Sequence, residues 1–388
     1  MNDKRGRHFR PIPLSAYVYS IINQHLCLQG TSMNFELVSI DELTDSLRQT
    51  WIDWIRADLQ YMSPYFHPDF TVNMAAVRED VRIVLMYEND ELAGILPIHV
   101  LEGRRAAPIG DLMSDYHGVI SPKPLELDVQ ELLRQTALRS FYFNHLLATQ
   151  ESFLPYSWEH TSSPYLDLSD GFAAYEEKAK QGGKSYYKNL LRNERKMGRE
   201  VGETRVVEFS DDEAVLERLL ELKSEQYVRT RQLDITRVKW MTDAMRQIWK
   251  FRSDDFSGML SALYVDEKLL GMHFGMKTKE VLHWWFPTYD PDYHRYSPGL
   301  LLLLHLARSQ DLGLKYIDLG KGPEPYKKSM KTGETELLEG GVDQQPLRRW
   351  LYRNIHNTRK WVHNTPAAQS PLKVYREVRS VIRKYKTC

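Results

Sequence analysis

Apolar and polar positions alternate over residues 34–40, the period of a half-buried strand. Asp41 stands where it would cap the segment ELTDSLRQTWIDWIRADL, in which Leu43, Leu47, Trp51, Ile52 and Ile55 recur at helical spacing and predict one buried face. Tyr61, Tyr65, Phe66 and Phe70 then crowd a loop, either as pocket lining or as packing over a core. The run VRIVLMYENDELAGILPIHV reads as two strands joined by a tight turn at Glu88, Asn89 and Asp90, with Gly94 in the second strand. Much later LSALYVDEKLLGMHFGM repeats that plan, with its turn at Asp266 and Glu267 and Gly271 in the place of the first glycine. Apolar strand, acidic turn, glycine-bearing strand, twice over, predicts a duplicated domain.

Between the hairpins the pattern predicts a helix near 128–138, a strand at FYFNHLLA, and a strand in TSSPYLDLSD that leaves the first unit. Gly182 and Gly183 punctuate the chain there. SYYKNLLRNERKMGRE follows as a helix whose Lys188, Arg192, Arg195, Lys196 and Arg199 make a basic surface, suited to a phosphorylated ligand and equally to plain solvation. A strand at 203–209, helices at 212–229 and 239–251, the second hairpin and the strand VLHWWFP complete the run toward residue 288.

The densest chemistry lies in YDPDYHRYSPGLLLLLHLARSQDLGLKYIDLGKGPEPYKKSM. Ser297 is placed to cap a helix, Pro298 suits its first turn, and Gly299 removes side-chain bulk where free N–H groups and the helix dipole would favour an anion. Leu300 to Leu306 are almost wholly apolar, so this helix must be enclosed. Asp318 interrupts an apolar strand and needs partners if ionised. Gly320 and Gly322 permit a sharp loop, beyond which Tyr326, Lys327 and Lys328 bring a phenol and ammonium groups; Asp318 and Lys327 read as functional groups or as an ion pair locking the loop. Asp115, Tyr116 and His117 are a second polar cluster, offered as acceptor contacts from the first unit. Trp284, Trp285 and Tyr289 suit a sugar face, although neighbours on a regular strand point to opposite sides, so one of the tryptophans is expected in the core.

With 52 basic and 52 acidic residues the formal net charge is zero, so the molecule as a whole lacks a nucleic-acid signature and any attraction to a polyanion must be local. The two cysteines, Cys27 and Cys388, fit neither a disulfide scaffold nor a metal-ligand spacing, and no metal site is expected. A serine triad order, HExxH, a phosphate-binding P-loop and a cysteine nucleophile are all missing. The basic N-terminal stretch before PIPLSAYVYSII is broken by Pro11 and Pro13 and offers no convincing cleavage site. It reads as a flexible extension, or as the product of too early a start codon, with the folded unit beginning near Met33. From Gln345 onward there are eleven Lys or Arg against the single acid Glu377. There Leu347, Trp350, Leu351, Ile355 and Trp361 fall at helical spacing, as a cap whose apolar stripe covers the second unit or as a surface for a membrane or membrane synthase.

Taken together, the second hairpin and the 284–331 segment resemble the GNAT-fold acyltransferases of the CelD/BcsL type, linked to cellulose or other exopolysaccharide synthesis. These are similar to Fem-type aminoacyltransferases with two tandem GNAT domains. The likeness covers roughly residues 34–335 and is most specific over 284–331. It implies an α/β fold of tandem GNAT-like domains with mixed sheets flanked by helices: a flexible extension over 1–33, a first domain over 34–170, a linker over 171–183, a catalytic domain over 184–344 and a basic helical extension over 345–388. It further implies acyl-CoA, in the simplest case acetyl-CoA, as co-substrate rather than as a tightly bound cofactor, held near Arg295, Tyr296, Ser297, Gly299 and Leu300. Here the family's glycine-rich donor loop is reduced to RYSPGL, with Pro298 where an amide would contribute. Asp318 is assigned to orienting or deprotonating the acceptor, Lys327 to the donor or oxyanion, and Tyr326 to the leaving thiolate. Asp115, Tyr116, His117, Trp284, Tyr289 and Arg192 are the substrate contacts. The expected acceptor is a sugar or nucleotide sugar, in the cytoplasm or at the inner membrane face. The alternatives are Fem-like transfer from aminoacyl-tRNA, with the basic helix as RNA contact, and a non-catalytic scaffold.

Overall fold

The computed structural model describes residues 33–181 and 185–364. The N-terminal extension up to residue 32, the stretch 182–184 with its glycine pair, and the chain beyond 364 lie outside the described residues.

In the first half, β1 (Met33–Ser39) leads through a short 3-10 turn into α1 (Asp45–Ala57). The cap of α1 is Thr44, whose hydroxyl accepts the Leu47 N–H, and not Asp41, which is spent in that turn. There follow α2 (Pro68–Ala75), β2 (Val81–Glu88), β3 (Glu91–Leu101), β4 (Arg105–Pro108), α3 (Val129–Gln135), β5 (Ser140–Leu147) and β6 (Ser157–Asp167). The second half begins with α4 (Phe172–Gln181), so the expected linker is largely helical. It continues with α5 (Ser185–Glu200), β7 (Thr204–Val207), α6 (Glu213–Thr230), α7 (Lys239–Lys250), β8 (Phe256–Val265), β9 (Lys268–Thr278) and β10 (Val281–Tyr289). Then come α8 (Pro298–Arg308), β11 (Tyr316–Asp318), α9 (Pro325–Met330), β12 (Gly333–Asp343) and α10 (Pro346–Asn364).

All twelve strands form one mixed sheet in the order β1-β2-β3-β4-β5-β12-β6-β11-β10-β9-β8-β7. The two halves repeat one plan. Four antiparallel strands end in a short parallel pair, β4 with β5 and β10 with β11. Each parallel pair is then flanked by a strand from the other half: β12 lies on β5, β6 lies on β11, and β6 and β12 pair with each other. Even the hairpin irregularity recurs, with a register shift at Met86/Tyr87 and again at Leu263/Tyr264. The acidic turns adopt the left-handed backbone that tight hairpins need, at Asn89 and Asp90 and again at Asp266. The fold is therefore α/β, a large mixed sheet covered by helices, in the GNAT-like pattern.

The aromatic loop is core. Tyr61, Tyr65, Phe66 and Phe70 are buried with Trp51 in a cluster that also takes in Leu216, Leu219, Met245 and Ile248 from the second half. The halves thus share hydrophobic contacts as well as a sheet. The leucine helix α8 is enclosed as its composition demands, with Leu301 to Leu304 and Leu306 buried. Helix α10 departs from expectation. It lies against β12 and β6, and its apolar stripe does not cover the second half: Leu347, Trp350, Leu351 and Trp361 are exposed.

Candidate active site

The site forms where β10 and β11 part. Their ladder spans only Val281 to His283 against Tyr316 to Asp318, and beyond it the β11-facing edge of β10 has no strand. At the mouth of this crevice is a cavity of about 470 Å³, within the range of small-ligand sites.

Its floor is a chain of three side chains. His283 Nδ1 is 2.8 Å from Asp318 Oδ2, and His283 Nε2 is 3.1 Å from Asp115 Oδ2. His283 and Asp318 are paired register positions on β10 and β11, so the sheet itself sets their contact. Asp115 comes from the loop after β4 in the first half. The other oxygen of Asp318 accepts from the Tyr116 hydroxyl at 3.2 Å, the Ser163 hydroxyl at 3.1 Å and the Gly320 N–H at 3.0 Å. Tyr65 sits edge-on to the His283 ring at 4.9 Å. His283 and Asp318 are closed to solvent, whereas the Asp115 side chain keeps 27% exposure and borders the cavity. Two glycines make this approach feasible. Gly320 has φ of +69°, and a Cβ there would come within 3.1 Å of Asp115 Oδ2; at Gly275 on β9 a Cβ would lie 2.2 Å from the His283 carbonyl oxygen.

Charge follows from this geometry. Burial by itself would lower the His283 pKa, but the Asp318 charge and the hydrogen bonds to both carboxylates outweigh it and raise the ring to about 9. Burial would likewise raise Asp115, yet the bond to His283 and that ring's positive charge hold its carboxyl below the ordinary range. At neutral pH the ring is therefore positively charged, and of its two partners Asp115 is the one that borders the cavity. Facing it are cationic groups. Lys223 on α6 is 7% exposed and is pulled down to about 8 by burial, against the nearby Glu324 charge and with the help of Lys327. Lys327 is also buried and donates to the Gly320 and Lys321 carbonyls at 3.1 and 3.3 Å, with Glu324 3.2 Å away. It therefore holds the glycine loop closed and makes no pair with Asp318.

Of the residues singled out from sequence, Asp115, Trp284, Tyr289, Ser297, Gly299, Leu300, Tyr326 and Lys327 border the cavity. Tyr116 and Asp318 lie just behind it. His117 is buried further back, its Nε2 accepting the N–H groups of Asn144 and His145. Tyr296 points away, its hydroxyl donating to Glu200 at 2.8 Å while Arg295 donates to that hydroxyl at 2.6 Å. Arg192 is on the exposed face of α5. Ser297 stands at the α8 N-cap with φ of 59° but makes no side-chain cap bond; its carbonyl takes the Leu300 and Leu301 N–H groups, and its own N–H donates to His294. Pro298 has no N–H, so the first turn of α8 offers the Gly299 amide to a ligand and little more. The two tryptophans separate as a strand requires: Trp284 is buried in the cluster with Leu282, and Trp285 packs on the opposite cluster beside Tyr65. Both reach the cavity lining, Trp284 while stacked on His273 at 4.0 Å, and the strand shifts register between His283 and Phe286.

His283 and Lys223 are the site residues that sequence reasoning missed. The signal for His283 was a polar residue within the apolar run VLHWWFP. For Lys223 it was a lysine on the buried stripe of a helix, three positions from Leu220 and four from Leu219.

The parted strands, the helix start beside them and the buried His283–Asp318 pair all lie within one stretch that matches a known family. Residues 184–328 match the family described as acetyltransferase (GNAT) domain, so this part of the chain is a member of the GNAT acyltransferase superfamily. No curated protein matches the chain. Similar solved structures include a tandem GNAT protein from the clavulanic acid biosynthesis pathway, at 10% identity and TM-score 0.46 over 81% of this chain and 99% of that one. FemX is similar at 10% identity and TM-score 0.44, covering 70% and 90%. The L-PGS of Bacillus licheniformis is similar at 12% identity and TM-score 0.42, covering 71% and 88%.

Proposed function

We propose that the protein moves an acyl group, in the simplest case acetyl, from acyl-CoA to a hydroxyl or amine of a sugar or polysaccharide precursor, in the cytoplasm or at the inner face of its membrane. The observation that carries this reading is the Asp115–His283–Asp318 chain, buried except for the one carboxylate that meets the cavity. In such a reaction the acceptor attacks the thioester carbonyl directly, a C–O or C–N bond forms, the C–S bond breaks, and the proton lost by the acceptor balances the one gained by the thiolate. Asp115 is suited to accept the acceptor's hydrogen and align its lone pair, while His283 and Asp318 fix the carboxylate's direction. Lys223, still mainly charged at neutral pH but poorly solvated, gains most when negative charge develops on the carbonyl oxygen or thiolate. Trp285 and Tyr289 supply flat faces for a sugar ring, and the Gly299 N–H and Lys321 suit donor phosphates.

Calorimetric titration with acetyl-CoA and coenzyme A, followed by an acceptor screen among sugars and nucleotide sugars, tests this. Micromolar donor binding, with turnover lost in a folded Asp115→Asn variant, supports it. An Asp115→Asn variant as active as the parent would remove the catalytic assignment of Asp115, and no donor binding or turnover by the folded parent would leave the scaffold reading. A second reading, transfer from aminoacyl-tRNA, draws on the exposed Lys188, Arg192, Arg195 and Arg199 of α5. It requires salt-dependent tRNA binding that falls when Arg192 and Arg195 are changed together.

A further inference from the structure

Helix α10 is amphipathic the wrong way round for a helix packed on its own protein. Its inward side is mostly polar, apart from Tyr352, which packs on Tyr142 with ring centroids 4.4 Å apart. Arg349 donates to the Gly341 and Pro155 carbonyls at 2.8 and 2.9 Å, and His356 lies between Glu159 at 2.7 Å and Glu339 at 2.9 Å. Lys360 reaches Glu159 at 2.7 Å. These contacts fix the rotation of the helix about its axis. On the opposite side, at spacings of three and four, Leu347, Trp350, Leu351 and Trp361 are 77, 60, 50 and 62% exposed.

We infer that this outward face lies on an anionic lipid surface, with the helix parallel to the membrane plane. Among the described residues no helix is long and apolar enough to cross a membrane, so the contact is interfacial. The choice of lipid over other occupants rests on charge. The stretch from Gln345 onward carries eleven basic residues against one acid, in a chain whose total is balanced at 52 of each, so the remainder is acidic by the same excess. Two copies meeting stripe to stripe, or the basic C-terminal tail folding back over the stripe, would stack positive charge on positive charge. An anionic bilayer complements both features: tryptophan and leucine enter the headgroup boundary, and the exposed Arg353 on the flank of the stripe meets the lipid phosphates. The proposal is independent of the reaction chemistry.

The test is flotation of the full chain with vesicles. Binding to phosphatidylglycerol-rich vesicles should exceed binding to phosphatidylcholine vesicles by about tenfold or more and should weaken as salt rises. The double variant Trp350→Ser/Trp361→Ser should lose about tenfold or more of that binding, and Arg353→Glu should lose a smaller part of it, while circular dichroism and acetyl-CoA binding stay unchanged. Equal partition onto both vesicle types, binding insensitive to the tryptophans, or no binding to either would overturn the inference. A lipid-free dimer that dissociates in the tryptophan variant would overturn it in favour of a second copy as the occupant.

Discussion

The two halves share one strand plan and put opposite chemistry at the same point of it. In the first half the parallel pair β4–β5 is backed by Ala106, Phe141, Phe143 and Leu146 of one apolar cluster, and although a cavity of about 590 Å³ opens beside it, no buried histidine–carboxylate pair lies there among the described residues. In the second, the corresponding pair β10–β11 contributes His283 and Asp318, and the crevice beyond them is open. Yet the first half is not idle. Its loop supplies Asp115 and Tyr116, and β6 supplies Ser163, so one copy of the plan has become a wall of the other's site. A duplicated scaffold needs only one working crevice, and the second copy is then free to position groups for it.

The sharpest way to break this comparison is to take the first half's carboxylate away. Asp115→Asn keeps the shape and should cut kcat by about a hundredfold or more, measured under saturating donor. His283→Gln probes the second half's share. It leaves buried carboxylates without their cation and should cost about 3 kcal/mol or more in denaturant unfolding near neutral pH. The sign of its pH dependence follows from a folded pKa raised to about 9. The contribution of the ring is complete below its unfolded value of 6.5 and is lost as pH climbs through 9, so the gap between parent and variant should close over that window.

Lys223→Met tests the opposite sign. Because the folded pKa is lowered to about 8 from 10.5, the charged lysine opposes folding at neutral pH, and the variant should melt higher than the parent. That advantage should fade between pH 8 and 10.5, while kcat/KM falls by about tenfold. Tyr142→Phe, in the first half's crevice, removes a 2.9 Å hydrogen bond to Asp343 and should cost about 1 kcal/mol with no change in turnover. Gly299→Ala should be smallest. The nearest atom to a new Cβ is 3.6 Å away, so stability should hold while KM for the donor rises a few-fold.

Local physics made much of the fold legible in advance. Hairpins with acidic left-handed turns, the enclosed leucine helix and the repeated glycine positions at 94 and 271 all follow from short-range pattern, because turn geometry and helical period are written within a few residues. The 284–331 segment was recognisable for the same reason: its helix start, strand acid and glycine loop are consecutive. Asp318 declared itself as an acid in an apolar strand, but its partner did not, since His283 is 35 positions away and meets it only through parallel register.

Tertiary structure decided the remainder. The exchange of β6 and β12 between the halves, the assembly of Asp115 with His283 across 168 positions, the burial that lowers Lys223 and the outward turn of the α10 stripe depend on which surfaces meet. A hydrophobic pattern records that a face is apolar and leaves open what it will face. Burial, pairing and charge state are properties of contacts between distant residues, so they exist only once the sheet has brought those residues together.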